Sequence, residues 1–245
     1  MDVGPTDNTV TLRSDMRGPT GAILLAVLGI AAPEGGGRSD LEAVPNPVIH
    51  SCQVLDPGYD VRRLEVVSEV LKHGRQMGYS RSRIIDADRP DRVLALTQGQ
   101  GISLGAPPDG LKKMAVEPIV VEDGPDLPPL WQVFGAARRT DDHWALPKLS
   151  PEVASPDAAL HLGPQFVLFE AAASDLASGA AGTDQVRAIS SHVMFLARGK
   201  VGPFRTDAEL IPGSDGVTAV RVVLHDEGAG DRPVTAGSYQ FLVSG

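Results

Sequence analysis

Apolar and polar positions alternate in two different rhythms along this chain. Between Pro164 and Ala180, Phe166, Phe169, Ala173 and Leu176 fall three or four apart and form one stripe. Val167, Leu168, Ala171, Ala172 and Ala177 cover much of the remaining surface. The spacing predicts one helix of about 17 residues, roughly 25 Å long. A helix apolar nearly all round, yet too short to span a bilayer, belongs inside a fold. The other apolar run, Gly21–Ala32, predicts a second helix from about Pro19 to Ala32, with Pro19 in its first turn and Pro33 and Gly35–Gly37 ending it.

Elsewhere the pattern is strand-like. Thr9–Leu12 opens the chain, and Val48–Leu55, Val61–Leu71, Met77–Ile85 and Arg92–Leu104 follow the first helix. Asp56-Pro57-Gly58, His73-Gly74 and Asp86–Pro90 supply the turns. The proline-rich Gly124–Pro129 reads as a linker, Leu130–Trp144 as a strand or hairpin and Pro147–Pro156 as a loop. After the long helix come Ala188–Leu196, Phe204–Ile211, Val217–His225 and Val234–Val243. The order strand, helix, four strands therefore occurs twice, at an offset of roughly 140–145 residues, which suggests duplication of one domain. Arg17-Gly18-Pro19 answers Leu162-Gly163-Pro164, and Asp91-Arg92 answers Asp231-Arg232. The expected division is 1–123 for a diverged first half, 124–129 for the linker and 130–245 for the second half.

Composition narrows the function. With 22 Lys and Arg against 31 Asp and Glu, the net charge of −9 argues against nucleic acid as a partner. The Gly21–Ala32 run is 12 residues long, so stable membrane insertion is not expected. Cys52 is the only cysteine, which excludes an internal disulfide framework and suits a reducing, cytoplasmic compartment. No signal-peptide pattern opens the chain. Asp141-Asp142-His143 lacks a partner cluster, so no metal site is expected.

Candidate chemistry centres on Glu170. It sits mid-helix behind large apolar neighbours, where an unpaired charge costs several kcal/mol. Two readings stand: a catalytic acid, or a structural acid hydrogen-bonded to backbone or to an arginine. The start of its helix offers free N–H groups and a partial positive charge, suited to an oxyanion, with Gly163 and Gln165 the candidate donors. A carboxylate about two turns further in could serve as general base on water or attack an electrophilic carbon itself.

A long apolar helix followed by an antiparallel meander resembles the hot-dog fold, in which a curled sheet wraps one central helix. The stretch from Ser190 to Val243, with its acidic AEL strand and a Val-rich strand ending in Asp226-Glu227, resembles the hot-dog thioesterases. The resemblance implies an α+β tandem (double) hot-dog architecture and hydrolysis of an acyl-CoA or similar small-molecule thioester. Coenzyme A would then be part of the substrate, with no separate cofactor, and the tandem chains could form a homo-oligomer. In one branch of the family a His-Gly pair leads into the helix nine residues before the catalytic acid; here His161-Leu162-Gly163 leads in and Glu170 lies nine past His161. In the acyl-CoA thioesterase II branch an Asp-His on the strand after the helix supplies the catalytic aspartate, and a Gln on the last strand helps hold the water. Gln240 matches that Gln, whereas Ser191-His192 places serine where the Asp is expected. Gln240 and His161 would orient water or substrate around Glu170. Ser191, His192, Arg81 and Arg83 are the candidates for contacting substrate, the arginines through phosphates of coenzyme A. The missing strand acid and the diverged first half favour a rival, a non-catalytic hot-dog module that binds an acyl-CoA or related ligand. A hydratase of the same fold would need a nearby Asp and His that the sequence does not show. In the first half, Leu25 answers Glu170 and Met16 answers His161, which implies a single working site.

Overall fold

The computed structural model describes residues 8–33, 45–103, 122–140 and 142–243. Strands β1 (Thr9–Thr11), β2 (Pro45–Val54), β3 (Arg63–His73), β4 (Met77–Asp86) and β5 (Arg89–Ser103) accompany helix α1 (Leu25–Ala31). A short α2 (Leu130–Val133) leads to β6 (Ala137–Arg138), β7 (Trp144–Leu146), β8 (Ala154–Ser155) and β9 (Ala159–Leu160). Then follow α3 (Leu162–Ala181), β10 (Val186–Phe195), β11 (Phe204–Pro212), β12 (Val217–Asp226) and β13 (Arg232–Val243). The eight long strands lie where the alternation predicts them. Leu130–Trp144 divides into a helical turn and a hairpin, and Leu104 lies outside the described residues.

Eleven strands form one sheet in the order β1-β3-β4-β5-β2-β10-β13-β12-β11-β7-β6, while β8 and β9 pair separately. Outward from the antiparallel seam of β2 with β10, β2–β5 and β10–β13 both run first, fourth, third, second. The registers repeat as well. One transverse row runs Glu69, Arg81, Gln98, Ser51, then His192, Ser238, Arg221, Glu209. Glu69, Arg81 and Gln98 thus correspond to Glu209, Arg221 and Ser238, each 140 positions later. Ser51 and His192 correspond too, and they face each other across the seam, so the local twofold axis relating the halves passes between them.

The helices lie on one side of this sheet. Helix α3 is buried along most of its length, from Gly163 through Glu170 and at Ala172, Ala173 and Ala177. Phe169 rests on Gly237 of β13, where an added Cβ would come within 3.0 Å of the ring. Val193, Val220, Val222, Leu224 and Phe241 complete that core at 0% exposure, each apolar side chain of this size stabilising by about 1.5–3 kcal/mol. Proline is tolerated in the first turn of α3, where its missing N–H has no intrahelical partner, and Gly182 ends the helix at φ +66°, a left-handed cap.

Helix α1 is shorter than the sequence predicts. Pro19 does not open it. The Pro19-Thr20-Gly21 segment instead makes a turn, with Gly21 at φ +81° and Arg17 bridged to Ile23, and Leu24 remains extended before helical geometry begins at Leu25. Leu25 therefore occupies the first turn of a 7-residue helix, whereas Glu170 is the ninth residue of a 20-residue one, and equivalence by helix position fails between them. The two helices pack close: a Cβ on Gly29 would lie 3.3 Å from the Phe166 ring, and one on Gly163 would lie 3.7 Å from Ile30.

Candidate active site

Glu170 is 5% exposed and its carboxylate reaches the other half. Leu25 donates its backbone N–H to one carboxylate oxygen at 3.0 Å and Ala26 donates to the other at 2.6 Å. The N-cap residue Leu24 offers no side-chain cap to α1, so Glu170 satisfies donors that the helix geometry leaves open. The favourable partial charge at a helix start holds the anion there. Burial dominates nevertheless and pushes Glu170 up to about 7, against the opposing pull of the Ala26 and Leu25 hydrogen bonds.

His161 caps the other helix. Its Nδ1 accepts the Gly163 N–H at 3.3 Å. Burial lowers its basicity, helped by the positive charge of Arg198 and opposed by Asp157. Gln165 donates to the carbonyls of Leu160 and His161 at 3.1 and 3.2 Å, and its side-chain oxygen accepts from Thr235. The Gly163 N–H and the Gln165 side-chain amide are thus engaged within α3 and its approach. With 1.5 Å of rise per residue, Gly163 also sits about 10 Å along the axis from Glu170. The geometry does not bring Gly163 and Glu170 to one reacting atom.

The strand candidates separate by face. Ser191 is buried, paired in register with Cys52 of β2 and Tyr239 of β13. Gln240 follows Tyr239 and points the opposite way, exposed, where it accepts a 2.8 Å hydrogen bond from Ser190. It lies across the sheet from Glu170. His192 is on the same outer face, sharing a 2.8 Å hydrogen bond with Ser51. Arg81 and Arg83 are also exposed there, Arg81 paired to Glu69 at 2.7 Å. The structure therefore collects Gln240, His192, Arg81 and Arg83 on the outside, and leaves Glu170 and Ser191 inside.

Two inner residues were missed by motif matching. Tyr239 and Cys52 are fully buried and both feel the charge of Glu170. Burial first, then Glu170, pushes the Cys52 thiol up to about 12; the same causes hold the Tyr239 phenol well above its usual range. The Tyr239 hydroxyl has no hydrogen-bond partner among the described residues. Period-two alternation was the available signal: Tyr239 and Phe241 face inward together, which turns Gln240 outward. Asp175, near the end of α3, accepts from the Trp144 indole at 3.1 Å and pairs with Arg138 at 3.3 Å. Among the described residues no cluster of His, Cys, Asp or Glu could hold a metal ion, and no helix is long and apolar enough to cross a membrane. Asp141 lies outside the described residues.

No family model matches the sequence, and no curated protein does. Solved structures do match. A tesB protein from Mycobacterium avium subsp. paratuberculosis aligns over 100% of this chain and 95% of its own, with TM-score 0.67 and 14% identity. An acyl-CoA thioesterase II from Mycobacterium marinum aligns over 82% and 81%, with TM-score 0.57 and 13% identity. A protein of Alicyclobacillus acidocaldarius described as having a hot-dog fold aligns over 97% and 92%, with TM-score 0.58 and 8% identity. With its long sheet wrapped on a buried helix and these structures as its likenesses, the chain has the hot-dog fold.

Proposed function

We propose that this chain is a tandem, or double, hot-dog protein that hydrolyses acyl thioesters, coenzyme A esters first among them. Its halves divide near 124–129, and the β2–β10 seam replaces a dimer interface. The observation that carries the reading is Glu170, a buried acid at the seam, raised to about 7 and facing backbone donors of the other half. An acid poised near neutrality suits a general base or a nucleophile at cellular pH. The Leu25 and Ala26 amides are already aimed at that point, so a thioester oxygen exchanging with one carboxylate oxygen would meet donors there. Ser191 and the Tyr239 hydroxyl lie on the same inner face and would line the approach. The similarity to structures described as thioesterases supports the substrate class. A lone, deeply buried cysteine suits a reducing, cytoplasmic setting.

One observation favours a second reading. Both Glu170 oxygens are already engaged, and Gln240 lies on the far face; a non-catalytic module that binds an acyl thioester needs no free acid.

Thiol release from short, medium, long and aromatic acyl-CoAs, followed with a thiol-reactive dye, separates the two. Wild type is expected to turn over, with a rate that rises as pH passes about 7 and Glu170 ionises, and Glu170→Gln is expected to lose at least about a hundredfold. Turnover that survives Glu170→Gln would move the acid elsewhere. Absence of turnover, with acyl-CoA still raising the melting temperature, would support the binding module.

A further inference from the structure

The outer face of the sheet, away from the helices, carries a groove of about 590 Å³ over β2–β5. That size falls in the usual range for small-molecule sites, roughly 300–1,000 Å³. Val67 and Leu96 give it an apolar floor, exposed at 36% and 37%, and Gln53, Gln98, Arg81 and Arg83 line it. Arg81 shares its charge with Glu69. Arg83 is exposed and enters no ion pair among the described residues. Its guanidinium stands over an apolar floor on a chain of net charge −9.

The repeat provides a control. By the register correspondence, Val67, Arg83, Leu96 and Gln53 answer Asp207, Val223, Ala236 and Met194 in the second half. The second half thus has an acid in place of the floor valine and an aliphatic side chain in place of Arg83. The groove belongs to one half, and common architecture alone does not account for it.

We propose that this groove binds an amphipathic organic anion, a carboxylate or phosphate monoester on an apolar chain, with the head group on Arg83 and the chain along Val67 and Leu96. The planar guanidinium fork matches both head groups. The neighbouring amides of Gln53 and Gln98 supply further donors, and each methylene laid on the floor leaves water. Glu170 is on the opposite face of the sheet, so this site stands whether or not the chain is a thioesterase.

Isothermal titration calorimetry on the full chain tests it, with octanoate, octyl phosphate and octanol as probes below their micelle concentrations. At least one of the two anions is expected to saturate a single site, and octanol to bind at least tenfold more weakly. Arg83→Ala is expected to weaken the anion at least tenfold, and Glu170→Gln to change it less than twofold. Leu96→Asp, which keeps Arg83 but places a like charge on the floor, should also weaken it. The preferred head group identifies the natural class, and either preference supports the site. The proposal is overturned if neither anion binds, if octanol binds as well, or if Arg83→Ala leaves the affinity unchanged. Loss of binding in Glu170→Gln would place the ligand in the interior and overturn it equally. A dimer in sedimentation that Arg83→Ala disperses would assign the face to a second copy of the chain instead.

Discussion

Helix α3 carries its own caps, His161 at the start and Gly182 at the end, whereas α1 has no side-chain cap of its own and its first turn rests on Glu170 from the other half. The same inequality recurs at the end of the third strand of each half. Asp86 and Asp226 correspond, both almost fully buried. Asp226 accepts three backbone N–H groups, from Lys200, Val201 and Gly202, at 2.8, 3.1 and 2.7 Å. Asp86 accepts one, from Asp88 at 3.0 Å, and otherwise leans on Arg89 at 2.7 Å. Among the described residues Asp226 is thus held by backbone donors alone, whereas Asp86 depends largely on arginine. The two groups of strands keep matching registers while their trim differs, because ladder hydrogen bonds tolerate almost any side chain and caps do not.

The largest expected effect tests that contrast. Asp226→Ala strands three amides and should cost about 3 kcal/mol or more, while Asp86→Ala should cost about half of that; paired urea denaturation curves measure both. Equal losses would remove the distinction between the two closures.

Next comes Glu170. Glu170→Ala should cost about 3 kcal/mol by opening a buried space and uncapping α1. Its pH dependence carries a definite sign. The folded carboxyl titrates near 7 and the unfolded one near 4.5. Between those values the native state holds a proton that the unfolded chain has released. Its contribution is therefore complete below about 4.5 and falls away as pH rises through 7, by at most about 3 kcal/mol. Stability relative to Glu170→Gln should decline over that window. A flat difference would mean that the two amides fully offset the burial.

Cys52 should be inert in the native chain, since burial raises its thiol to about 12. Labelling with a disulfide reagent should require unfolding, so the thiol-release assay should have no protein background. Fast labelling would show that the β2–β10 seam opens. The smallest effect belongs to the corresponding outer carboxylates: Glu69→Ala and Glu209→Ala should each stay within about 0.5 kcal/mol, because exposed charges contribute little.

Much of this architecture was legible in the sequence. Alternation places all eight long strands, and the apolar periodicity places α3. The 140-residue spacing of the strand registers matches that of Asp91-Arg92 and Asp231-Arg232. What misled was local chemistry read without three-dimensional partners. Pro19 looks like a helix start, yet Gly21 just after it takes a left-handed turn that only the packed chain selects. Gln240 fits a motif, but the parity of Tyr239 and Phe241 puts it on the outer face. Glu170 was recognised as a buried acid in need of a partner. That partner is the backbone of Leu25 and Ala26, and no side-chain pattern advertises two N–H groups 145 and 144 positions away.

The hydrogen bond between Ser51 and His192 has a consequence for how such a molecule can change. In an assembly of two identical chains, a residue on the dyad meets its own copy, so histidine would face histidine and serine would face serine. Because both halves are encoded in one polypeptide, one of the two positions can mutate alone, and a hydroxyl can come to sit opposite an imidazole. The covalent link also makes the association independent of protein concentration. A new side chain at the seam therefore appears once per molecule and never confronts its duplicate, which leaves unlike groups free to accumulate where symmetry would forbid them.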